Sequence, residues 1–328
     1  MENFLLVAKQ VVILFVLIGA GAVCRKARLV DEFSIRGMVN VLVTIVTPAL
    51  IVECFQRPFE NSMFAQFAIA FAVAAAMHVF LIVLSRFTAK GGENELPVLR
   101  VASVFSNAGF MGIPLEYAIL GPKGVFYGIV YVTMFNLFMW TWGLAKMKGS
   151  EKVKVKGEKV ESSTLFHFSP LLFTLKPLVN PGTVGLLVGL PLFLFSVTLP
   201  EIVRVPVKLM SDLNTPLAML VIGYYLAGAD FKAVLRSRQA YVATFVRLVA
   251  SPLVLIAVFY LLRGSLDRTM MLALTIAAAA PVGAMVTMFA SKYHRDVDLS
   301  VGLVSGSTIV SIFTMPPIIA FAMTLLEK

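Results

Sequence analysis

The chain has 328 residues, of which 59% are hydrophobic and only 14% charged, and its mean hydropathy is +0.89. Soluble domains carry about 25% charged residues and keep their apolar stretches short, so a water-soluble globule is excluded. The net charge of +10 follows membrane sidedness, as set out below, and gives no reason to expect a nucleic-acid partner.

A bilayer span takes about 20 apolar residues, and ten such runs follow one another. They cover roughly 4–24, 34–55, 63–85, 97–120, 123–145, 181–199, 206–228, 240–262, 269–291 and 299–325. The fold expected is an all-α polytopic membrane protein with ten transmembrane helices. The first run lacks a basic leader; Arg25, Lys26 and Arg28 follow it rather than precede it, so an uncleaved helix is expected. Cys24 and Cys54 end successive spans and fall on opposite membrane faces, too far apart for a disulfide. Trp140 and Trp142 suit an interfacial anchor at the end of the fifth span.

Most connections are short. The exception is 146–180, which opens on Lys146, Lys148, Lys152, Lys154, Lys156 and Lys159 and separates a first five-helix unit (1–145) from a second (181–328). This lysine cluster suits a solvated linker or a grip on anionic membrane lipids. Odd-numbered loops hold 19 Lys and Arg residues against seven in the even loops and the C-terminus. Basic loops face the cytoplasm, which puts the linker inside and both termini outside (periplasmic in a bacterium). The expected location is the plasma membrane, the inner one if the cell is bacterial.

The two halves agree at their least ordinary features. Thr47-Pro48 in the second span matches Thr215-Pro216 in the seventh, and Pro114 in the fourth matches Pro281 in the ninth. The intervals are 66 and 65 residues. Because five is odd, the second copy enters the membrane from the opposite side, giving a 5+5 inverted repeat, a frequent transporter architecture.

Chemistry is sought where spans are weakest. Asn107, Gly109, Gly112 and Pro114 in the fourth span, and Ala280, Pro281 and Gly283 in the ninth, disfavour continuous helix. Broken helices 4 and 9 crossing there would expose half-helix N-termini, whose amides and dipoles favour an anion. Those seven residues are the candidate substrate ligands. Asp212, Asn214, Thr47, Asn40 and Arg247 are candidates for ion coupling or for supporting the ligands, with Asp212 either the proton site or a helix-start residue near the interface. Arg247 has a structural alternative, pairing within the fold. His78 reads as a packed residue and Asn136 as a hydrogen bond across helices. With histidines only at 78, 167 and 294, neither an enzyme constellation nor a metal cluster emerges, and no cofactor is expected.

Ser106-Asn107-Ala108-Gly109-Phe110-Met111-Gly112-Ile113-Pro114-Leu115, Asn214-Thr215-Pro216-Leu217-Ala218 and Ala279-Ala280-Pro281-Val282-Gly283 resemble the auxin efflux carrier family. The likeness is to its bacterial members, within the wider bile acid, auxin and arsenite transporter group, and it runs over nearly the whole chain. It implies a secondary transporter, an efflux carrier or permease of small organic anions such as auxin- or malonate-like mono- or dicarboxylates. It implies a scaffold of helices 1, 2, 6 and 7, an elevator-like moving unit, and a homodimer. Asn107 matches the asparagine that precedes the fourth-helix proline by seven residues. The ninth-helix break carries alanines where plant exporters place a carboxamide. The acidic residue of sodium-coupled relatives is missing, which argues against sodium and leaves proton coupling or facilitated efflux open. Two rivals remain. A cation/proton antiporter would want paired aspartates near the breaks, and a transporter-fold sensor of a metabolite or lipid would want an added signalling domain.

Overall fold

The computed structural model describes residues 2–148, 181–228 and 237–326. Among them every regular element is helical. We number the helices α1 (Glu2–Lys26), α2 (Glu32–Cys54), α3 (Asn61–Thr88), α4 (Glu95–Val104), α5 (108–120) and α6 (122–148). After residue 180 come α7 (Pro181–Leu194), α8 (Glu201–Asp212), α9 (Asn214–Leu226), α10 (Arg238–Ser265), α11 (Arg268–Ala279), α12 (Met285–Lys292) and α13 (Val297–Leu325).

Among the described residues, seven helical runs are long and apolar enough to cross a membrane: Phe4–Lys26, Glu32–Cys54, Asn61–Thr88, Ala108–Lys148, Glu201–Leu226, Arg238–Ser265 and Val297–Leu325. Pro181–Leu194 and Arg268–Ala279 are apolar but shorter. The longest run, Ala108–Lys148, is a hairpin. Gly121 (φ 68°, ψ −162°) reverses the chain between α5 and α6 in a region of φ/ψ space open essentially to glycine alone.

Local chemistry sets several boundaries. Asp31, Asp267 and Asp296 each accept a backbone amide from three residues on, capping α2, α11 and α13 and satisfying a donor the helix cannot. The prolines of Thr47-Pro48 and Ser251-Pro252 each sit beside a looser turn. The π-turns 42–46 and 246–250 precede Pro48 and Pro252, absorbing the hydrogen bond that proline cannot donate.

Packing falls into two sets. In the first, α1 lies directly on α9. A Cβ on Gly21 would overlap the Leu220 backbone and one on Gly223 the Ile18 backbone, so the two main chains touch, as small residues allow in lipid. The second half of α2 packs on α7 and α8, with Gly185 against Pro48 and Gly189 against Phe55. In the second set, α11 is wedged among α5–α6, α10 and α13, while α3 covers α6 and α4. A continuous apolar core joins the two sets.

Several expectations are met differently. The fourth predicted span, 97–120, is two helices interrupted at residues 105–107, and the sixth ends at Leu194. Asn136 Nδ2 donates to Val132 O of its own helix at 3.0 Å, not across helices. Trp140 and Trp142 are half-buried against Phe289 and Phe105 inside a π-turn. The lysine-rich stretch beyond Lys148 lies outside the described residues.

Two substitutions test this packing. Gly21→Ala should depress the thermal stability of detergent-solubilised protein, whereas Gly19→Ala, where a Cβ meets nothing within 4 Å, should leave it unchanged. Gly121→Ala should cost about 2 kcal/mol; equal melting curves for parent and variant would show that the hairpin does not need its positive φ.

Candidate functional site

The centre of the second set is a crossing of two chain interruptions. Pro281 has no amide hydrogen and forces Ala280 out of helical conformation, so α11 stops at Ala279 with Ala280 extended (φ −62°, ψ 148°). In the other strand Phe105 is extended (φ −104°, ψ 114°) and Asn107 (φ −81°, ψ 49°) starts the next turn. Ser106 and Val282 face each other as an isolated antiparallel bridge. Asn107 N donates to Pro281 O at 2.6 Å, and Gly283 N to Phe105 O at 2.9 Å. Val282 N, on the other edge, donates to Ser307 Oγ of α13 at 3.0 Å. A Cβ on Gly283 would come within 3.0 Å of Ser106 O, so glycine there permits the close approach.

Each interruption creates a C-terminus, and both are held by one side chain. Arg247, fully buried on the π-turn of α10, donates Nη1 to Val104 O at 2.7 Å and Nη2 to Ala278 O. Nη2 also donates to Ser251 Oγ at 2.7 Å. Val104 ends α4 and Ala278 lies in the last turn of α11, so one guanidinium caps two helix ends at once. Each end carries about half a negative charge; together they roughly balance the cation. Its hydrogen bonds therefore favour the structural alternative over direct contact with an anion.

The interruptions also create two N-termini, α5 and α12, and here the donors are free. The amides of Ala108, Gly109 and Phe110, and those of Ala284 and Met285, precede the first intrahelical bonds and bond to no described acceptor. Gly109 and Phe110 are half-buried and Ala284 is exposed, and a Cβ on Gly109 would meet nothing within 4 Å. Asn107, 7% exposed, makes no capping bond with its carboxamide. Open space, uncommitted amides and an unused carboxamide thus meet at the positive ends of two helices. Of the predicted ligands, Asn107, Gly109, Ala280, Pro281 and Gly283 are brought together here. Gly112 lies one turn into α5, close to Ala277.

Pro114 is a correction: it lies in the second turn of α5, directly after the π-turn 108–112, as Pro48 and Pro252 follow theirs, and not at the interruption seven residues before. It lines instead a cavity of about 230 Å³ between α5, α1 and the α8–α9 junction, together with Gln10, Tyr117, Asp212 and Asn214. Thr47 Oγ1 approaches Asn214 Oδ1 at 3.4 Å, so the two Thr-Pro motifs meet beside that cavity, and Asn214 Nδ2 is buried without a partner. Asp212 is exposed and ion-paired with Lys208 at 2.9 Å. Asn40 is exposed and joins no part of the site. His78 is buried as expected, with Nδ1 at 2.7 Å from Ala74 O and its ring stacked on Phe138.

Sequence reading missed Glu116. It is fully buried in α5, and neither carboxyl oxygen has a hydrogen-bond partner. Its position as the only acidic residue in the apolar stretch 96–150 was the available signal. Among the described residues no group of three or more His, Cys, Asp or Glu could hold a metal ion.

The membrane transport protein family matches residues 6–319. Auxin efflux carrier component 8 of Arabidopsis thaliana is 27% identical over 139 residues, 41% of this chain and 37% of the plant protein. An uncharacterized transporter of Methanothermobacter thermautotrophicus is 28% identical over 222 residues, 66% of this chain and 65% of that protein. The matches therefore span less than two thirds of either relative's length.

The role of Arg247 can be tested on the folded state alone. Arg247→Met leaves two buried carbonyl ends unpaired, at about 1–3 kcal/mol for each group, and should sharply reduce the yield of monodisperse protein. Arg247→Lys keeps the charge but not the fork that reaches both carbonyls, and should give an intermediate melting temperature. A lysine variant as stable as the parent would reduce the role of Arg247 to its charge.

Proposed function

The chain belongs to the membrane transport protein family, that of the auxin efflux carriers, and on that premise we propose that this multi-pass membrane protein is a secondary transporter of small organic anions. A mono- or dicarboxylate, auxin- or malonate-like in size, sits at the N-termini of α5 and α12. The observation that carries this reading is the asymmetry of the crossing. Its two negative helix ends are occupied by Arg247, while the two positive ends present amides and Asn107 with no protein acceptor. Helix N-termini with free amides are ready-made anion sites.

In the same proposal the polypeptide crosses the bilayer ten times, as two inverted sets of five. The interrupted pairs α4/α5 and α11/α12 count as the fourth and ninth crossings. Support comes from the matched features on either side of the linker: an interrupted helix in each half, and Thr47 meeting Asn214 where the Thr-Pro motifs touch. Alternating access is elevator-like, with α1, α2 and α7–α9 as the scaffold and the crossing carried by the remaining helices. The cavity at Pro114, Asp212 and Asn214 lies along that sliding boundary. We place the protein in the plasma membrane as a homodimer with its termini outside.

Proteoliposomes loaded with labelled malonate or indole-3-acetate provide the test. Asn107→Ala and Gly109→Val should each lower uptake at least tenfold with the folded yield nearly unchanged, because neither side chain supports packing. Transport of neither anion by the parent protein, or full transport by both variants, would overturn the assignment. For topology, cysteines introduced at Ser162 and Glu327 should be labelled from opposite sides of intact cells; labelling of both from outside would defeat the ten-crossing arrangement.

A further inference from the structure

Glu116 stands apart from every other acidic side chain described. Asp31, Asp267 and Asp296 cap helices, Glu32 pairs with Arg36, Glu53 with Arg204 and Asp212 with Lys208. Glu116 is fully buried at the α5–α6 hairpin and both its oxygens lack partners. The chain makes room for it: a Cβ on Gly128 of α6 would overlap the Glu116 carboxyl group, and Gly112 lies beside Oε1. The carboxyl thus rests on the bare backbone of Gly128, about two turns beyond the free amides of α5.

No described cation offsets it. On α2 the nearby titratable group is the Cys54 thiol, packed with Ile113 and Val125. On α6 the buried titratable groups are the Tyr127 and Tyr131 hydroxyls, each without a partner. On α3 it is His78, bonded to Ala74 O. Between Met270 and Ala279, α11 has no ionisable side chain, and Lys9 of α1 is exposed. An unpaired ionised carboxylate in such surroundings would cost many kcal/mol, so the group is held as the neutral acid.

We propose that Glu116 is the proton-binding residue linked to anion binding in this transporter. This deepens the transport reading above and rests on it. With the proton on, the hairpin closes on Gly128 and α5 presents its amides to the anion. With the proton given up to water, the carboxylate draws water in between α5 and α6 and displaces the N-terminus of α5. Anion and proton therefore favour each other's binding by reciprocal linkage. The proton released to water on opening is taken back from water on closing, so no other reactant is needed. Glu116 acts through α5; it is a positioning residue and touches no substrate.

The test uses the full-length protein and Glu116→Gln, which keeps the neutral shape. At neutral pH the parent should show an infrared C=O band of a protonated, non-hydrogen-bonded carboxyl that Glu116→Gln lacks; no difference overturns the proposal without touching the transport reading. In a Cys24→Ser background, raising the pH should open Cys54 to maleimide several-fold more in the parent than in Glu116→Gln, and equal labelling would show that ionisation does not open the hairpin. At a pH high enough to open Cys54 to label in the anion-free parent, and so to ionise Glu116, adding malonate or indole-3-acetate in weak buffer should cause uptake of about one proton per bound anion in the parent and none in the variant. Equal uptake by both overturns the linkage, whereas binding of neither anion by the parent refutes the transport reading instead. Stabilisation of the parent, but not the variant, by sodium over choline would replace the proton with a metal ion.

Discussion

The structure depends on how two pieces of broken backbone satisfy each other inside a membrane. Lipid offers no hydrogen bonds, so an interruption in a spanning helix survives only where its freed groups find partners in protein or line a polar cavity. Here Phe105–Asn107 and Pro281–Gly283 are each other's partners. Two backbone hydrogen bonds, one from Val282 N to Ser307 Oγ, and a doubly engaged Arg247 settle groups on one side of the crossing. The first amides of α5 and α12 are left without a described acceptor. The residues that permit this are small or lack an amide: Pro281 stops α11, and Gly283 lets Ser106 O approach.

Arg247 also decides what can move with what. By bonding Val104 and Ala278 from α10, it ties three helices into one body, and Ser307 adds α13. On the far side, Gly21 and Gly223 bring the α1 and α9 backbones into contact, a joint that tolerates little sliding. The cavity lined by Pro114, Tyr117, Asp212 and Asn214 lies between these bodies. Rigid units on both sides of an imperfectly filled boundary provide what a sliding mechanism requires.

How much of this was legible in the sequence depends on whether the signal is local. Ala280-Pro281 declared its break because proline acts on its own backbone and the residue before it. Pro114 misled by the same logic, since a proline that follows a π-turn breaks nothing, and the actual interruption at 105–107 contains no proline. Its cause is the pairing with Pro281–Gly283, which no window of the fourth span contains. Asp212 looked costly in an apolar run, yet Lys208 one turn earlier on an exposed face relieves it. Glu116 looked unremarkable because the glycine that accommodates it lies twelve residues away, across the hairpin at Gly121. Arg247 was visible as an intramembrane charge, but its partners are backbone carbonyls, which composition cannot show.

Two buried ionisable groups near the crossing, Arg247 and Glu116, are therefore handled in opposite ways. Arg247 keeps its charge because two helix C-termini supply about one negative charge between them. Glu116 has no such compensation among the described residues. The crossing as a whole then resembles a pair of dipoles set tail to tail, with a permanent cation at the negative ends and uncommitted amides at the positive ones. An anion there completes the arrangement without needing a basic side chain. For the same reason it can leave again: a lysine or arginine ligand would hold a carboxylate bidentately or by full charge, whereas amide dipoles and one carboxamide hold it by partial charges that a small shift of α5 dissipates. Weak, geometry-dependent binding of this kind suits a carrier, which must release its substrate as readily as it takes it up.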